Sequence, residues 1–155
     1  MPSVRVMPAT LAGCPVRVGS LDGFAVAVTA AGELILRMPT RSAEFRRRRK
    51  SWGCAIVPGR LPKVRGIRAH GTRFQLKVWQ ACQRIRPGAT ATYGELAKTV
   101  GCRSAQAVGT ALGANPLAVF IPCHRVVSAS GAGGIAWGLA RKRRWLQAER
   151  DGLAD

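Results

Sequence analysis

The sequence predicts an α+β protein, in which a small N-terminal β region is followed by a mainly helical C-terminal domain with a winged helix-turn-helix-like motif. Three observations favour this class. Short apolar runs separated by turn residues lie before residue 40, a stretch rich in arginine, glycine and proline follows, and strong helix-start patterns come after residue 71. We therefore divide the chain into residues 1–65, a short β region with a basic linker, and residues 66–155, the helical domain.

The N-terminal region contains a predicted β-hairpin. Residues 24–28 (Phe-Ala-Val-Ala-Val) and 34–36 (Leu-Ile-Leu) are apolar runs separated by Thr-Ala-Ala-Gly-Glu, which is the pattern of two strands and a turn. The basic run at 41–50, with consecutive arginines at 46–49, and the Pro- and Gly-rich residues 58–71 predict a linker. The arginine run is either a solvated charged face or a set of contacts to phosphate groups.

The first helix of the C-terminal domain is predicted from its cap. Thr72 and Gln75 have the spacing of a capping box, and apolar residues recur at helical intervals from Phe74 to Ile85, until Arg-Pro-Gly at 86–88 stops the helix. We assign this apolar stripe, which includes Trp79, to the core.

Two further helices predict a helix-turn-helix. Thr92 and Glu95 repeat the capping-box spacing, and Gly101 ends that helix. Ser104 caps the next helix, which Asn115-Pro116 closes. Two short helices joined by about three residues form a helix-turn-helix.

The second of these helices has a small outer face, formed by Gln106, Gly109, Thr110 and Gly113. Small residues here need a reason, because a glycine inside a helix costs roughly 1 kcal/mol. Close approach of a DNA backbone or groove and tight packing of a neighbouring helix both account for this face.

The composition indicates a polyanionic partner. Lysine and arginine total 25 against 7 acidic residues, which gives a net charge of +18 and a pI near 11.6. Nucleic acid fits best, because neutralising its phosphates releases counterions. Ribosomal, membrane-surface and heparin-like partners are the alternatives on charge alone.

The cysteines indicate a reducing compartment. The five of them, at 14, 54, 82, 102 and 123, include no Cys-x-x-Cys pair, which argues against a disulfide framework and against a ribbon-type zinc site. Pro8 and Pro15 interrupt the apolar stretches of the N-terminus, and no later apolar run approaches the length of a membrane span. We expect a cytoplasmic protein with no membrane partner.

One segment carries residues suited to covalent chemistry. Leu117 to Ile121 is an apolar run that predicts a buried strand or extended segment, and it leads into Pro122-Cys123-His124-Arg125. A cysteine beside a histidine at the rim of a core is a place where a thiolate of low pKa can form. From these residues alone, an inert buried cysteine is the simpler interpretation.

The segment Ile-Pro-Cys-His-Arg-Val-Val at 121–127 resembles the active-site motif of the O6-alkylguanine-DNA alkyltransferases, also called methylated-DNA-protein-cysteine methyltransferases. The resemblance extends from about residue 71 to residue 149. Further segments stand in the family's order and spacing, namely residues 71–75, 78–79, 92–97, 107–109 and 115–116.

The resemblance implies a single-turnover DNA-repair reaction. The helix-turn-helix would lie in the minor groove of double-stranded DNA carrying O6-alkylguanine, and the damaged base would be flipped into a pocket beside Cys123. Cys123 would attack the alkyl carbon and keep the group as a thioether, with O4-alkylthymine as a further candidate substrate. No cofactor and no metal are implied, and we expect a monomer.

The resemblance also implies roles for individual residues. His124 would act as a base through a water molecule, with Glu149 behind it to orient the imidazole. Asn115 would brace the active-site turn, and Tyr93 would help to rotate the phosphate and donate a proton to the departing guanine. The implied DNA-binding residues are Tyr93, Gln106, Ala107, Gly109, Thr110, Gly113 and Arg125. The implied pocket residues are Pro122, Gly133, Ile135 and Trp137.

The chain departs from the family pattern where the flipped base is handled. Gln106 stands where the family has an arginine that fills the gap in the base stack, and it lacks the charge and the guanidinium plane. We therefore expect slower or weaker base flipping. Ile135 replaces an aromatic residue that covers the base, and Trp137 partly compensates. The N-terminal region is degenerate relative to the family, without an evident zinc ligand set, and we interpret His70 as a linker residue.

Two other functions remain open at this point. A non-catalytic alkyltransferase-like protein would bind alkylated DNA and signal to another repair system, although such relatives usually lack the cysteine. A basic DNA-binding module with a decayed active site would account for the charge, Gln106 and Ile135. A cysteine hydrolase is disfavoured, because nothing in the sequence suggests an oxyanion hole.

Overall fold

The computed structural model describes residues 5–8, 16–21, 24–29, 31–39, 46–48, 50, 60–61, 63–117, 120–131 and 139–152. A five-stranded sheet occupies the N-terminal half, and four α-helices lie in the C-terminal half of these ranges. The predicted α+β class is therefore confirmed. Among the described helices, none has the length and apolar character needed to cross a bilayer.

The N-terminal sheet is built around the predicted hairpin. Its strands are β1 (Arg5–Pro8), β2 (Val16–Leu21), β3 (Phe24–Thr29), β4 (Glu33–Pro39) and β5 (Gly66–Gly71), in the order β1-β5-β4-β3-β2. Strands β2, β3 and β4 pair antiparallel, with a register shift between Ala27 and Val28. The hairpin prediction is confirmed. Phe24 of β3 is half-buried, and Ala25 to Val28 of β3 and Leu34 to Leu36 of β4 are buried.

The linker prediction for residues 58–71 is wrong over β5. This strand pairs parallel with β4 on one side, where Leu34 lies opposite Ile67, and parallel with β1 on the other, where Val6 lies opposite Ala69. His70 is thus a strand residue and not a linker residue. The strand has glycine at both ends and few apolar side chains, so its composition resembles a loop, and its pairing partners stabilise it instead. The division of the chain at residue 65 stays a prediction.

The helical half follows the predicted caps. Its helices are α1 (Arg73–Gln83), α2 (Tyr93–Thr99), α3 (Ala105–Gly113) and α4 (Leu139–Arg150). Both capping boxes form, at Thr72 with Gln75 and at Thr92 with Glu95, and the Ser104 hydroxyl accepts a hydrogen bond from the Ala107 N–H. A short parallel pair, β6 (Ala91–Thr92) and β7 (Val126–Val127), joins the start of α2 to the segment after Cys123.

Helix α1 supplies the centre of the core, as predicted. Trp79 is fully buried, and its indole N–H donates to the Ala111 carbonyl of α3 at 2.8 Å. Phe74 is an exception, because 36% of it is exposed. Leu76, which lies outside the predicted stripe, is buried instead.

The connection between α2 and α3 has the predicted length. Three residues, 101–103, lie between the C-cap Val100 and the N-cap Ser104, and Gly101 adopts a positive φ of 72°. The Cys102 N–H donates to the Ala97 carbonyl at 2.8 Å, and the Gly101 N–H donates to the Lys98 carbonyl at 3.1 Å. This is a Schellman ending, which needs a left-handed residue and so favours glycine at 101. The predicted helix-turn-helix is confirmed.

Candidate active site

The segment after α3 does not run as the predicted extended strand. The Ile121 N–H donates to the Leu117 carbonyl at 3.0 Å, which closes a turn between these two residues. Asn115 holds both ends of this turn, because its Nδ2 donates to the Ile121 carbonyl at 2.7 Å and its Oδ1 accepts from the Leu117 N–H at 2.8 Å. Leu117 and Ile121 are buried, as the apolar run predicted, and the Asn115 side chain explains why the backbone bends instead of extending.

Cys123 lies at the start of a short 3-10 helix (Cys123–Arg125) that follows this turn. Only 5% of it is exposed. Burial raises the pKa of the Cys123 thiol to about 11, and a hydrogen bond with the Asn115 side chain and the charge of Lys142 act in the opposite direction. The hypothesis of a low-pKa thiolate is therefore wrong for the DNA-free chain, in which the resting sulfur is a protonated thiol.

His124 points away from solvent and is paired with Glu149 of α4. Its Nε2 lies 2.7 Å from Glu149 Oε1. A carboxylate can only accept, so Nε2 carries the hydrogen and Nδ1 keeps a lone pair. Nδ1 is buried without a hydrogen-bond partner among the described residues. Burial lowers the pKa of His124, although Glu149 counteracts part of this effect, so the imidazole is neutral at pH 7 and able to act as a base.

Arg125 is a structural ligand of the same carboxylate. Its Nε and NH2 atoms donate to Glu149 at 2.7 to 3.1 Å, and its NH1 donates to the Ile85 carbonyl at 2.7 Å. Only 4% of Arg125 is exposed. The predicted contact between Arg125 and DNA is not supported, because the guanidinium is directed into the molecule.

Glu149 is held as a carboxylate by these two partners. Burial acts to raise its pKa, but hydrogen bonds from Arg125 and His124 outweigh that effect and lower the pKa below its ordinary value. The Gly88 N–H also approaches Glu149 Oε2, at 3.4 Å. The carboxylate therefore links α4, the Cys123 helix and the turn after α1.

Lys142 is a residue of this site that sequence analysis missed. It is fully buried, its Nζ donates to the Val126 carbonyl at 2.6 Å, and it lies 5.7 Å from the centroid of the Tyr93 ring. Its charge interacts with Cys123. The pattern held a clue, since Lys142 shares a helical stripe of three- and four-residue steps with Leu146 and Glu149, both of which are buried.

Tyr93 connects the buried site to the outer face of α3. Its ring lies 3.8 Å from the point where a Cβ on Gly109 would stand. Burial, followed by the charge of a Cys123 thiolate, raises the pKa of Tyr93. The phenol therefore keeps its proton near neutral pH and remains a potential donor beside the cysteine.

The outer face of α3 is accessible. Gln106 and Thr110 are exposed, and Ala107, Gly109 and Gly113 are half-buried. Among the described residues, a Cβ added to Gly113 would meet nothing within 4 Å, and one added to Gly109 would make only ordinary contact with Tyr93. Tight packing against this part of the chain therefore does not explain these glycines.

The predicted pocket residues are only partly described. Pro122 is buried and directly precedes the Cys123 helix. Gly133, Ile135 and Trp137 lie outside the described residues, so their predicted roles stay predictions. Within the described ranges, no three His, Cys, Asp or Glu side chains come together as metal ligands would.

The described geometry combines a protonated thiol, a neutral imidazole with one free nitrogen, and a carboxylate that fixes the imidazole tautomer. Such a set can deprotonate the thiol when an electrophile is present.

Comparisons with known proteins relate the chain to one family. A family model described as 6-O-methylguanine DNA methyltransferase, DNA binding domain, matches residues 73–151. The chain is 49% identical over 82 residues to a methylated-DNA--protein-cysteine methyltransferase of Mycolicibacterium paratuberculosis, over 52% of this chain and 50% of the relative. The chain thus spans about half the length of this curated relative.

Two crystal structures of Mycobacterium tuberculosis proteins are also similar. One is OGT in complex with DNA, with a TM-score of 0.64 and 27% identity over 88% of this chain and 92% of that chain. The other is O6-methylguanine methyltransferase, with a TM-score of 0.64 and 30% identity over 88% of this chain and 93% of that chain.

Proposed function

Because the chain belongs to the 6-O-methylguanine DNA methyltransferase family, we propose that it repairs DNA by transferring an alkyl group from O6 of guanine to the sulfur of Cys123. One observation carries the proposal: the buried Cys123 is followed, in the same short helix, by His124, whose Nε2 is bonded to Glu149 and whose Nδ1 has no hydrogen-bond partner among the described residues. A cysteine whose pKa is raised needs a general base in order to react at neutral pH.

The proposed step exchanges one covalent bond for another. The sulfur of Cys123 attacks the alkyl carbon, the carbon–sulfur bond forms, and the bond between that carbon and guanine O6 breaks. The thiol proton passes to Nδ1 of His124, with one water molecule as the relay, and Glu149 stabilises the imidazolium that forms. Guanine gains a proton from the Tyr93 hydroxyl. The Tyr93 phenolate then regains a proton from water and the His124 imidazolium releases one to water, so the net change is the transfer of one proton from the thiol to guanine.

The product explains why the reaction stops after one turnover. Removing the alkyl group from a thioether would require a nucleophile to expel the Cys123 thiolate, which is a poor leaving group, and the proposed mechanism provides no such nucleophile. We therefore propose a stoichiometric, suicide reaction in which one chain repairs one lesion. The site is assembled from residues of a single chain, which supports action as a monomer. Cys82, Cys102 and Cys123 are free thiols, which supports a reducing, cytoplasmic location.

The proposed DNA surface is the outer face of α3, including Gln106, Ala107, Gly109, Thr110 and Gly113, together with Tyr93. The open space around Gly113 allows a backbone or groove to come close. Lys98 and Arg103 are exposed at the turn between α2 and α3, where they supply positive charge for phosphate contacts.

The burial of Cys123 supports base flipping as part of the proposal. The sulfur is buried, so a stacked base in a duplex cannot present its O6-alkyl group to it. Binding of α3 in the minor groove would let Gln106 enter the base stack as the flipped nucleotide leaves it. The neutral amide makes a weaker wedge than the family's arginine.

The test is a single-turnover transfer assay on the whole chain. After incubation with a duplex that contains O6-methylguanine, intact-mass and peptide analysis should show one added methyl group, located on Cys123, with equal amounts of protein and lesion consumed. Cys123→Ala should bind the same duplex and gain no methyl group. Tight binding of alkylated duplex with no mass change in the wild-type chain would instead identify a non-catalytic binder, the function that Gln106 and the raised pKa of the Cys123 thiol favour as second candidate.

A further inference from the structure

The arginine run at 46–49 contains one residue that faces inward. Arg46 and Arg47 are exposed, whereas Arg48 is partly buried. The NH2 atom of Arg48 donates to the Ala114 carbonyl at 2.7 Å, its NH1 atom donates to the His70 carbonyl at 3.0 Å, and its guanidinium carbon lies 5.9 Å from the centroid of the Trp79 ring. Arg48 is thus neither a solvated charge nor directed at a phosphate, the two interpretations that the sequence left open.

One of the two carbonyls that Arg48 binds belongs to Ala114, which directly precedes Asn115 in the chain. Ala114 is the C-cap of α3. On the other side of Asn115, the Pro116 carbonyl accepts a hydrogen bond from the Arg37 N–H of β4 at 2.7 Å. The two carbonyls that flank Asn115 are therefore both held by residues of the N-terminal half.

Asn115 passes this constraint on to the cysteine. Its side chain bonds to both ends of the turn from Leu117 to Ile121, and the Ile121 carbonyl also accepts from the Cys123 N–H at 2.8 Å. A charged donor makes a stronger hydrogen bond than a neutral one. The Arg48 guanidinium therefore holds the Ala114 carbonyl more strongly than the Arg37 backbone N–H holds the Pro116 carbonyl. Both arginines lie outside residues 73–151, the segment that matches the family.

We propose that Arg48 is a positioning residue for the alkyl transfer. From the N-terminal half, it fixes the turn from Leu117 to Ile121 through Asn115, and it thereby sets the location of Cys123. The expected effect of Arg48 on the rate of repair rests on the proposed function. Its effect on the conformation of the turn does not. Displacement of a reacting group by about 1 Å can cost on the order of a hundredfold in rate, so a loosened turn has a measurable consequence.

The first test compares Arg48→Met with Arg46→Met, an exposed arginine of the same run, in the full chain. We expect Arg48→Met to slow methyl transfer from a saturating O6-methylguanine duplex by about tenfold or more, while affinity for an undamaged duplex stays within about twofold because the outer face of α3 is unchanged. Arg46→Met should transfer at the wild-type rate. Equal losses of DNA affinity in both variants, with wild-type maximal rates, would make the run a phosphate-binding patch and overturn the proposal.

The second test needs no repair activity. Amide hydrogen exchange should be faster in residues 115–123 of Arg48→Met than in the wild-type chain, and unchanged in α2. Arg48→Lys, which keeps the charge and is able to reach one carbonyl, should give intermediate exchange and an intermediate rate, and it serves as the variant to measure if Arg48→Met does not fold. Wild-type exchange across residues 115–123 in the folded variant would overturn the proposal, whether or not the chain proves to transfer alkyl groups.

Discussion

At the scale of single residues, burial determines which groups of the site are charged at rest. Burial keeps Cys123 protonated at rest, and the same burial keeps His124 neutral, so that neither group is charged before DNA arrives. The charges of the resting site are those of Glu149, of Arg125, which pairs with it, and of Lys142. A closed, neutral thiol is protected from adventitious oxidation and alkylation, since the thiolate is the reactive form. That protection suits the single-turnover reaction proposed for this cysteine.

Lys142 provides a direct test of this electrostatic arrangement. Its positive charge lowers the pKa of the Cys123 thiol against the effect of burial, so Lys142→Met should raise that pKa further. The rate of Cys123 alkylation by iodoacetamide, measured without DNA at a series of alkaline pH values, should shift to higher pH. Lys142→Arg, which keeps the charge, should resemble the wild type. A pH profile unchanged in Lys142→Met would contradict the electrostatic role and leave only the hydrogen bond to Val126.

At the scale of elements, the helix-turn-helix illustrates which features a sequence can predict. The caps at Thr72, Thr92 and Ser104 are local, since each side chain bonds to a backbone group three residues away, and local hydrogen bonds can be inferred from spacing. The hairpin of β3 and β4 is equally local. The Cys123, His124 and Glu149 constellation was found through a family resemblance, because no spacing rule connects residues 25 positions apart.

The features that sequence analysis missed depend on distant partners. Strand β5 exists because β1 and β4 flank it, and its own residues resemble a loop. Arg125 carries the same charge as an arginine on the surface, and only the position of Glu149 turns it inward. Arg48 was hidden for the same reason, since its acceptor carbonyls belong to His70 and Ala114, far along the chain. For Lys142 the sequence offers only the helical stripe that it shares with Leu146 and Glu149, and the pattern does not identify its acceptor, the Val126 carbonyl.

The glycines of α3 lead to a prediction at this scale. Gly113→Ala adds a Cβ into open space, so it should stabilise the free protein by roughly 0.5–1 kcal/mol through helix propensity. Gly113→Gln should fold equally well yet lose about tenfold in affinity for an O6-methylguanine duplex, or ~1.4 kcal/mol, if the face is a DNA contact. Thermal unfolding and a titration of fluorescent duplex measure the two effects.

A control for the Gly113 variants is available in the sheet. Gly66→Gln also adds a side chain where nothing lies within 4 Å, but on β5 and not on the helix-turn-helix. Its duplex affinity should match that of the wild-type chain. If Gly113→Gln also binds duplex with wild-type affinity, the small outer face of α3 is not where DNA approaches.

At the scale of the whole molecule, the positive charge far exceeds what ion pairs within the chain can neutralise. Glu149 is buried with His124 and Arg125, and Glu33 pairs with Arg68 at 2.6 Å. Each arginine pair removes one basic and one acidic residue together, so the net charge of +18, from 25 basic residues against 7 acidic ones, is carried by the remaining basic residues. A charge of this sign and size favours nonspecific association with nucleic acid, which falls steeply as salt is added.

The buried Glu149 cluster also predicts how stability depends on pH. The pKa values of His124 and Glu149 are both lowered by folding from ordinary values of 6.5 and 4.5, so on acidification the unfolded chain takes up protons before the folded chain does. The contribution of these two groups to the free energy of unfolding should therefore have its full value near pH 7. It should decrease as the pH drops through 6.5 and again as the pH drops through 4.5. Urea denaturation at a series of pH values measures this slope.

Glu149→Gln isolates the contribution of the cluster. It should lower the free energy of unfolding at neutral pH by about 3–5 kcal/mol, because Arg125 keeps a buried charge without its counter-ion, and it should flatten the decline below pH 4.5. Asp151→Asn removes an exposed acid just beyond the same helix and controls for the change in net charge. If the free energy of unfolding of Glu149→Gln falls below pH 4.5 as steeply as that of the wild type, the acid sensitivity arises elsewhere. The Glu149 carboxylate would then not be the group that ties the Cys123 helix to α4.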